Sequence, residues 1–276
     1  MRIPLEPSQS KDLWSIVMTC GRPYDDMLED ALVSLAQQTY RNFELVFVSN
    51  SMKTYTAVNK LCKTLEIGVR FPAAAHARNR HERFREGVRD AQGVYIGVLD
   101  SDDMLHPRAI EIASKSLKLF PNVHFFTSSH FAFIDGSLTG KHIKASPWKQ
   151  TLAALVKGFE QRHFWGFSND SDYWPRDFLY STDPVEDYWA FACIARAAMP
   201  VLCIPHCLYA WRNWSGQYTR VNLSECVAMC ERIQKALKRI SEAQSPYWHM
   251  GDLVLAARMQ KNMELIERLI PFDDEE

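Results

Sequence analysis

The sequence predicts an α/β fold with a mainly parallel central sheet, helices on its faces and a helical extension at the C-terminal end. Near the N terminus, a strand pattern at 14–18, a helix pattern at 27–37 and a second strand pattern at 43–48 follow one another. A helical crossover between neighbouring strands joins them in parallel, so this is a β-α-β unit. The run 94–99 carries no charge, as expected of a central strand covered on both faces.

The remaining elements follow from the periodicity of apolar residues. We expect one domain at 1–220 and a C-terminal helical extension at 221–276. The aromatic-rich segment 141–180 is predicted to be irregular and to wall a pocket. The other predicted elements are a strand near 68–71, helices at about 76–91, 107–119 and 183–198, strands at 123–133 and 202–211, and two amphipathic helices at about 223–241 and 246–270.

Composition limits the class of partner and compartment. Thirty-two basic and 33 acidic residues give a net charge of -1, so no overall field favours nucleic acid. The first residues lack a leader-like apolar stretch, and no apolar run is long enough for a transmembrane segment. Seven cysteines without CxxC spacing predict reduced thiols in a cytoplasmic protein, with a zinc site at Cys203, His206 and Cys207 as the alternative to buried thiols.

An acidic cluster, Asp100-Ser101-Asp102-Asp103, directly follows the central strand. In open α/β sheets, ligands bind at the carboxyl ends of the strands. Alternation along an extended chain points Asp100 and Asp102 the same way, so the two could share a divalent cation that neutralises a diphosphate. The alternative is a solvated acidic turn that caps the helix near Pro107.

Several segments resemble the family 2 glycosyltransferases of the Rossmann-like GT-A fold. SIVMTCGR at 15–22 is similar to their first strand and turn, and ALVSLAQQTYRNFELV at 31–46 is close to a signature of the family. ARN at 77–79 and AQGVYIGVLDSDD at 91–103 resemble two further family elements. The resemblance is strong over about 14–120, fades towards 215 and is absent beyond.

The resemblance implies a role for each matching residue. Thr19 and Arg22 would border the nucleotide, Asn50 would lie near the base, Arg78 would reach the base or the diphosphate, Asp100 would lie near the ribose and the metal, Asp102 would be the principal metal ligand with Asp103 beside it, and Asp187 or Glu186 would be the catalytic base. Two alternatives stay open. Arg85 fits the spacing to Gly93 better than Arg78 does, and Glu186 and Asp187 also suit the first turn of a helix.

The resemblance further implies an inverting transferase that uses Mn2+ or Mg2+. It would move a hexosyl or N-acetylhexosaminyl group from a nucleotide-diphosphate donor, with a UDP-sugar favoured, to a hydroxyl of a glycan acceptor. The nucleotide-sugar part would span about 12–120 and the acceptor part about 121–220. Alternatives are a non-catalytic nucleotide- or glycan-binding module and a nucleotidyltransferase. The terminal helices would pack on the parent domain, form a homo-oligomer or contact the inner membrane surface.

Overall fold

A computed structural model describes residues 12–72, 79–134, 140–157, 163–169, 199–217, 221, 223–243 and 248–272. Its elements are numbered in chain order over these residues. The chain divides into two compact units, Met1–Glu111 with Gly166–Tyr173, and Ile112–Trp165 with Trp174–Glu276. The predicted boundary at residue 220 stays a prediction.

The first unit is built on a mixed sheet. Its elements are β1 (Trp14–Cys20), α1 (Asp26–Ala36), β2 (Phe43–Ser49), α2 (Met52–Thr64), β3 (Val69–Arg70), α3 (Arg80–Asp90), β4 (Tyr95–Val98), β5 (Met104–Leu105) and the end of β8 (His163–Ser168). Parallel pairs join β1 to β2, β1 to β4 and β2 to β3, while β8 runs antiparallel to β4. The predicted α/β fold is confirmed, and the strand pairing is mixed instead of purely parallel.

Helix α1 begins at Asp26 because Asp25 caps it. The Asp25 carboxylate accepts a hydrogen bond from Leu28 N at 2.9 Å, which satisfies one of the free N–H groups of the first turn. One face of the helix is then apolar at helical spacing. That face buries Leu28, Ala31, Leu32 and Leu35.

Helix α3 approaches the sheet closely at a glycine. A Cβ atom at Gly87 would lie 2.7 Å from Val17 Cγ1 and 3.3 Å from Val48 Cγ2, so a larger residue would push the helix away from β1 and β2. The helix begins at Arg80, after the cap at Asn79, whose side chain accepts from Glu82 N at 2.8 Å. This start is later than the predicted one near 76; residues 76–78 lie outside the described part of the chain.

The second unit contains a parallel strand pair with a helix packed on it. Its elements are α4 (Ala109–Leu119, which begins in the first unit), β6 (Phe125–Ile134), β7 (Gly140–Ile143), a 3-10 turn (Trp148–Gln150), α5 (Leu152–Lys157), the start of β8, β9 (Val201–Asn213), α6 (Leu223–Ala243) and α7 (Trp248–Leu269). Strand β6 pairs in parallel with β9, and β7 pairs antiparallel with β6. Register shifts between Ser128 and His130 mark a bulge in the β6–β9 ladder. Helix α7 packs on β9, where Val201 N donates to Met259 Sδ at 3.3 Å.

One sequence prediction about local structure is wrong, and one helix was missed. The segment 141–180 is predicted to be irregular, yet its described residues include most of β7, the 3-10 turn, α5 and β8. Helix α2 is absent from the predicted elements. The predicted helix at 183–198 lies outside the described residues. Within the part of the chain that the structure describes, no helix has both the length and the apolar character needed to cross a membrane.

Candidate functional site

The carboxyl ends of three neighbouring strands meet at one edge of the first unit's sheet. Cys20 at the end of β1 is in register with Ser49 at the end of β2, and Val17 pairs with Val98 of β4. Neighbouring strands lie about 4.8 Å apart. The predicted site residues near the ends of these strands, Thr19, Asn50 and Asp100, therefore belong to the same edge.

The aspartate cluster forms a tight turn directly after β4. Leu99 N continues the ladder with a bond to Val17 O at 3.1 Å, and Asp103 N then donates back to Asp100 O at 3.2 Å. The turn separates the three carboxylates by exposure. The side chains of Asp100 and Asp102 are 29% and 16% exposed, whereas Asp103 is 1% exposed. Asp100 and Asp102 are thus the accessible pair.

Arg22 ties the loop after β1 to this turn. Its guanidinium donates to Asp25 Oδ2 at 2.7 Å, to Ser101 O at 2.5 Å and to Ser101 Oγ at 3.2 Å. Asp102 Oδ1 lies 3.7 Å from Arg22 Nη1. Burial lowers the pKa of Arg22, but the hydrogen bond with Asp25 and the charge of Asp102 outweigh it, so the pKa is raised and Arg22 stays charged.

Arg80, to which the sequence patterns assign no site role, contacts the other accessible aspartate. Its Nη2 lies 3.0 Å from Asp100 Oδ1, and its side chain is 28% exposed. Arg78 lies outside the described residues, and Arg85, the alternative to it, is half-buried further along α3. The sequence feature that could have identified Arg80 is the helix cap at Asn79, because Arg80 is the first helical residue after it.

A third arginine packs against the loop after β1. Arg83 is 8% exposed, and a Cβ atom at Gly21 would lie 2.6 Å from its Nη2. Only a glycine leaves that space to the guanidinium without a shift. The loop that carries Arg22 therefore rests on Arg83 of α3.

A cavity of about 600 Å³ opens at the carboxyl end of β2. This volume lies within the range of small-molecule sites. Two of its aromatic side chains hold each other edge to face, since the rings of Tyr55 and Phe71 lie 5.2 Å apart at 89°. Tyr55 is also fixed to the strand end, because Ser49 N donates to its hydroxyl oxygen at 2.9 Å. The lining residues are Ser49, Asn50, Met52, Tyr55, Thr56, Asn59, Phe71 and Pro72.

The QTY segment, residues 38–40, supports the part of the chain that follows the aspartate turn. Gln38 Nε2 donates to His106 O at 2.8 Å and to Ser34 O at 3.1 Å, while its Oε1 accepts from Ile110 N at 3.1 Å. Ser34 Oγ accepts from Leu105 N at 3.2 Å. These buried hydrogen bonds fix residues 105–110 against the end of α1.

A second set of hydrogen bonds fixes the chain just before β4. Ser15 Oγ donates to Glu44 Oε1 at 2.7 Å and accepts from Gly93 N at 2.8 Å. A Cβ atom at Gly93 would lie 2.4 Å from Ser15 N and 2.6 Å from the carbonyl carbon of Trp14. Backbone atoms cannot move aside as a flexible side chain can. Gly93, the last residue of the AQG sequence at 91–93, therefore allows two chain segments to lie close together.

Asp100 and Asp102 are the partly exposed carboxylates of the turn, and carboxylates are the ligands expected for a cation that is shared with a phosphate. Among the described residues, no group of three or more His, Cys, Asp or Glu side chains is arranged to hold a metal ion. Mg2+ is commonly bound through one or two carboxylates together with substrate phosphates. Asp100 and Asp102 provide such carboxylates. The metal roles of Asp100, Asp102 and the buried Asp103 stay predictions. So do the roles of Arg78, Glu186 and Asp187, which lie outside the described residues.

Comparisons with known proteins bear on the family and the fold of the chain. Two curated relatives match over less than half of the chain: an uncharacterized glycosyltransferase of Rickettsia felis, 31% identical over 124 residues, and one of Rickettsia conorii, 30% identical over 121 residues. Each match covers 42% of this chain and 18% of the relative, so the chain spans less than a fifth of these relatives' length.

Solved structures share the fold over most of the chain. S. aureus TarS 1–349 superposes with a TM-score of 0.59 and 14% identity, covering 94% of this chain and 72% of that one. The mannosyltransferase PcManGT from Pyrobaculum calidifontis, in complex with GDP-Man and Mn2+, superposes with a TM-score of 0.57 and 13% identity, covering 94% and 76%. Both show the GT-A fold. The profile of glycosyl transferase family 2 matches residues 15–189, and the chain belongs to this family.

Proposed function

We propose that the chain is an inverting, metal-dependent glycosyltransferase that moves a sugar from a nucleotide-diphosphate donor to a hydroxyl acceptor in glycan or glycoconjugate synthesis. One observation carries the proposal. Asp100 and Asp102 lie partly exposed after β4, at the edge of the mixed sheet where the parallel strands β1, β2 and β4 end, each beside an arginine, at 3.0 Å from Arg80 and 3.7 Å from Arg22. Carboxylates for a cation and guanidinium groups for phosphate oxygens are the two charged components that a sugar-diphosphate site requires.

The donor base would occupy the cavity at the end of β2. Asn50 lines that cavity, and Tyr55 and Phe71 offer ring faces or edges to a base. A UDP-sugar is the favoured donor, since S. aureus TarS has been crystallised with UDP and with UDP-GlcNAc. Thr19 would border the nucleotide, and Asp100 would lie near the ribose.

The diphosphate would lie over the aspartate turn. Asp102, with Asp100 and Asp103, would hold Mn2+ or Mg2+, and when bound such an ion stabilises negative charge on the leaving phosphate as a Lewis acid. Arg22 would add a positive charge, which its hydrogen bonds with Asp25 and Ser101 hold in place. Arg78 would reach the base or the diphosphate.

The acceptor hydroxyl must lose a proton as the new bond forms. A carboxylate opposite the leaving group suits this task, and Asp187, or else Glu186, would be this base. One base without a covalent intermediate inverts the anomeric configuration. We assign donor binding to about 12–120, acceptor binding to about 121–220, and a hexosyl or N-acetylhexosaminyl group as the sugar.

We place the enzyme in the cytoplasm, either free or peripheral at the inner membrane surface. The six cysteines in the described part of the chain form no disulfide, which suits a reducing compartment. The terminal helices α6 and α7 are the surfaces that we assign to a homo-oligomer.

The test compares Asp102→Asn with a matched control. Asp26→Asn removes the same charge from an exposed position in the first turn of α1. We expect Asp102→Asn to lower UDP-sugar hydrolysis or transfer in Mn2+ by about 100-fold or more, because a carboxylate that holds a cation cannot be replaced by an amide without loss of charge stabilisation. Asp26→Asn should retain wild-type rates. Equal rates for the two variants would count against the proposal.

A further inference from the structure

Both accessible aspartates contact a guanidinium group, and the two groups come from different elements. Arg22 lies in the loop after β1, whereas Arg80 is the first residue of α3. The carboxylates that we assign to a cation are therefore neutralised in part by side chains of the protein itself. A cation that approaches Asp100 has to compete with Arg80 for the same oxygen, Oδ1.

The two arginines contact their aspartates in different ways. Arg22 is fixed by Asp25 and by Ser101. Its distance of 3.7 Å from Asp102 is too long for a hydrogen bond. Arg80 donates a direct hydrogen bond to Asp100 at 3.0 Å from a partly exposed side chain. Of the two contacts, the one between Arg80 and Asp100 is the one that a cation would have to break.

Electrostatics then favour a cation that arrives together with a phosphate ligand. A divalent ion alone would bring its charge next to two guanidinium groups, and like charges at such distances repel. A nucleoside diphosphate supplies negative oxygens that match the planar donors of an arginine. A guanidinium displaced from Asp100 would then have a new partner nearby.

We propose that Arg80 couples cation binding to nucleotide binding. Its guanidinium holds Asp100 while the donor is absent and moves to the diphosphate when the cation takes the carboxylate. The chain consequently binds Mn2+ strongly only together with a nucleoside diphosphate. This inference rests on the proposed function. Because binding couplings are reciprocal, Mn2+ must strengthen nucleotide binding by the same factor.

The test measures Mn2+ binding by electron paramagnetic resonance, with and without UDP, for the full chain. The ratio of the two dissociation constants reports the coupling. Arg80→Gln should bind Mn2+ alone more tightly and should lower the coupling ratio on the order of 10-fold, because one charge and its hydrogen bonds are lost. Arg80→Lys keeps the charge and should keep a larger ratio than Arg80→Gln.

The same helix offers a matched control. Arg89 also pairs with a carboxylate of α3, Glu86, at 2.9 Å, but near the other end of the helix. Arg89→Gln should leave both Mn2+ constants unchanged. Glutamine and arginine have similar helix propensities, so neither substitution should disturb α3, which circular dichroism would verify.

Two results would overturn the inference while leaving the proposed function intact. The first is a coupling ratio in Arg80→Gln equal to that of the wild type. The second is weaker binding of Mn2+ alone in Arg80→Gln, which would mean that Arg80 only positions Asp100. A wild-type chain that binds no UDP at any Mn2+ concentration would overturn the proposed donor class, and this inference with it.

Discussion

Replacing Gln38 by leucine tests whether the QTY segment supports the aspartate turn. Gln38 is 2% exposed and uses both ends of its amide, in bonds of 2.8 Å to His106 O and 3.1 Å from Ile110 N. Leucine has a similar size but no polar atoms. His106 O would keep a bond from Ala109 N at 2.8 Å, whereas the buried Ile110 N–H would lose its amide acceptor.

The expected cost follows from that lost acceptor. A buried donor without a partner costs about 1–3 kcal/mol, so we expect the free energy of unfolding to fall by about 2 kcal/mol. With a urea m-value of about 3 kcal/mol/M, the unfolding midpoint would fall by about 0.7 M. Tryptophan fluorescence can follow this transition, since the chain has eight tryptophans.

The neighbouring glutamine supplies the control. Gln37 is exposed. Its replacement by leucine should change the free energy of unfolding by no more than about 0.5 kcal/mol, as is usual for surface substitutions. Gln38→Leu should also weaken UDP binding, because residues 105–110 follow the aspartate turn directly. If Gln38→Leu and Gln37→Leu unfold at the same urea concentration, the bracing role assigned to Gln38 is refuted.

Two further predictions concern a close backbone approach and a buried histidine. Gly93→Ala should lower the melting temperature by several degrees, because its Cβ would lie 2.4 Å from Ser15 N. Gly68→Ala should leave the melting temperature unchanged, because a Cβ atom there would have no neighbour within 4 Å. Differential scanning fluorimetry would measure both variants. Burial is the largest cause that lowers the pKa of His130 from 6.5 to about 4. As the pH falls, His130 therefore takes up a proton in the unfolded chain before it does so in the folded chain. The contribution of His130 to the free energy of unfolding is then complete above about pH 6.5 and falls by about 3 kcal/mol as the pH drops to about 4. Urea unfolding at several pH values should show a smaller dependence on pH for His130→Gln than for the wild type.

Strands β1, β2 and β4 could be predicted because they are buried on both faces. A continuous apolar run is the expected pattern for such strands. The ranges predicted for β1, β2 and β4 agree with the observed ones to within two residues. Helix α1 was predictable for a related reason, since its apolar residues recur at helical spacing behind an acidic first turn.

Helix α2 and strand β8 could not be recognised in the same way. The buried face of α2 consists of Thr54, Val58 and Cys62, which is too weakly apolar to give a clear period. Strand β8 owes its place to pairing with a distant segment, where Phe167 is in register with Ile96. Its aromatic residues were expected to wall a pocket, but Trp165 and Phe167 are buried in the core.

The position of Arg80 depends on where α3 begins, and this start was the least predictable feature of the site. A helix that began near 76 would have carried Arg78 in its first turn. The Asn79 cap moves the first turn to Arg80, and a side chain at this position reaches Asp100. A sequence pattern gives the type of residue at a site, but a shift of a few residues in a helix start changes which side chain makes the contact.

The residues that carry the family resemblance fall into two physical classes. The sequence alone was enough to predict the role of only one class. Gln38 and Gly93 satisfy backbone groups or permit a close approach, and these needs come with the backbone of the fold itself. The donor contacts that we propose depend instead on individual side chains. Asn50, which we place near the base, has an amide that both donates and accepts, so it can pair with a base edge that a carboxylate would repel. The scaffold of the aspartate turn therefore follows from the family, whereas in the function that we propose the choice of donor base depends on Asn50.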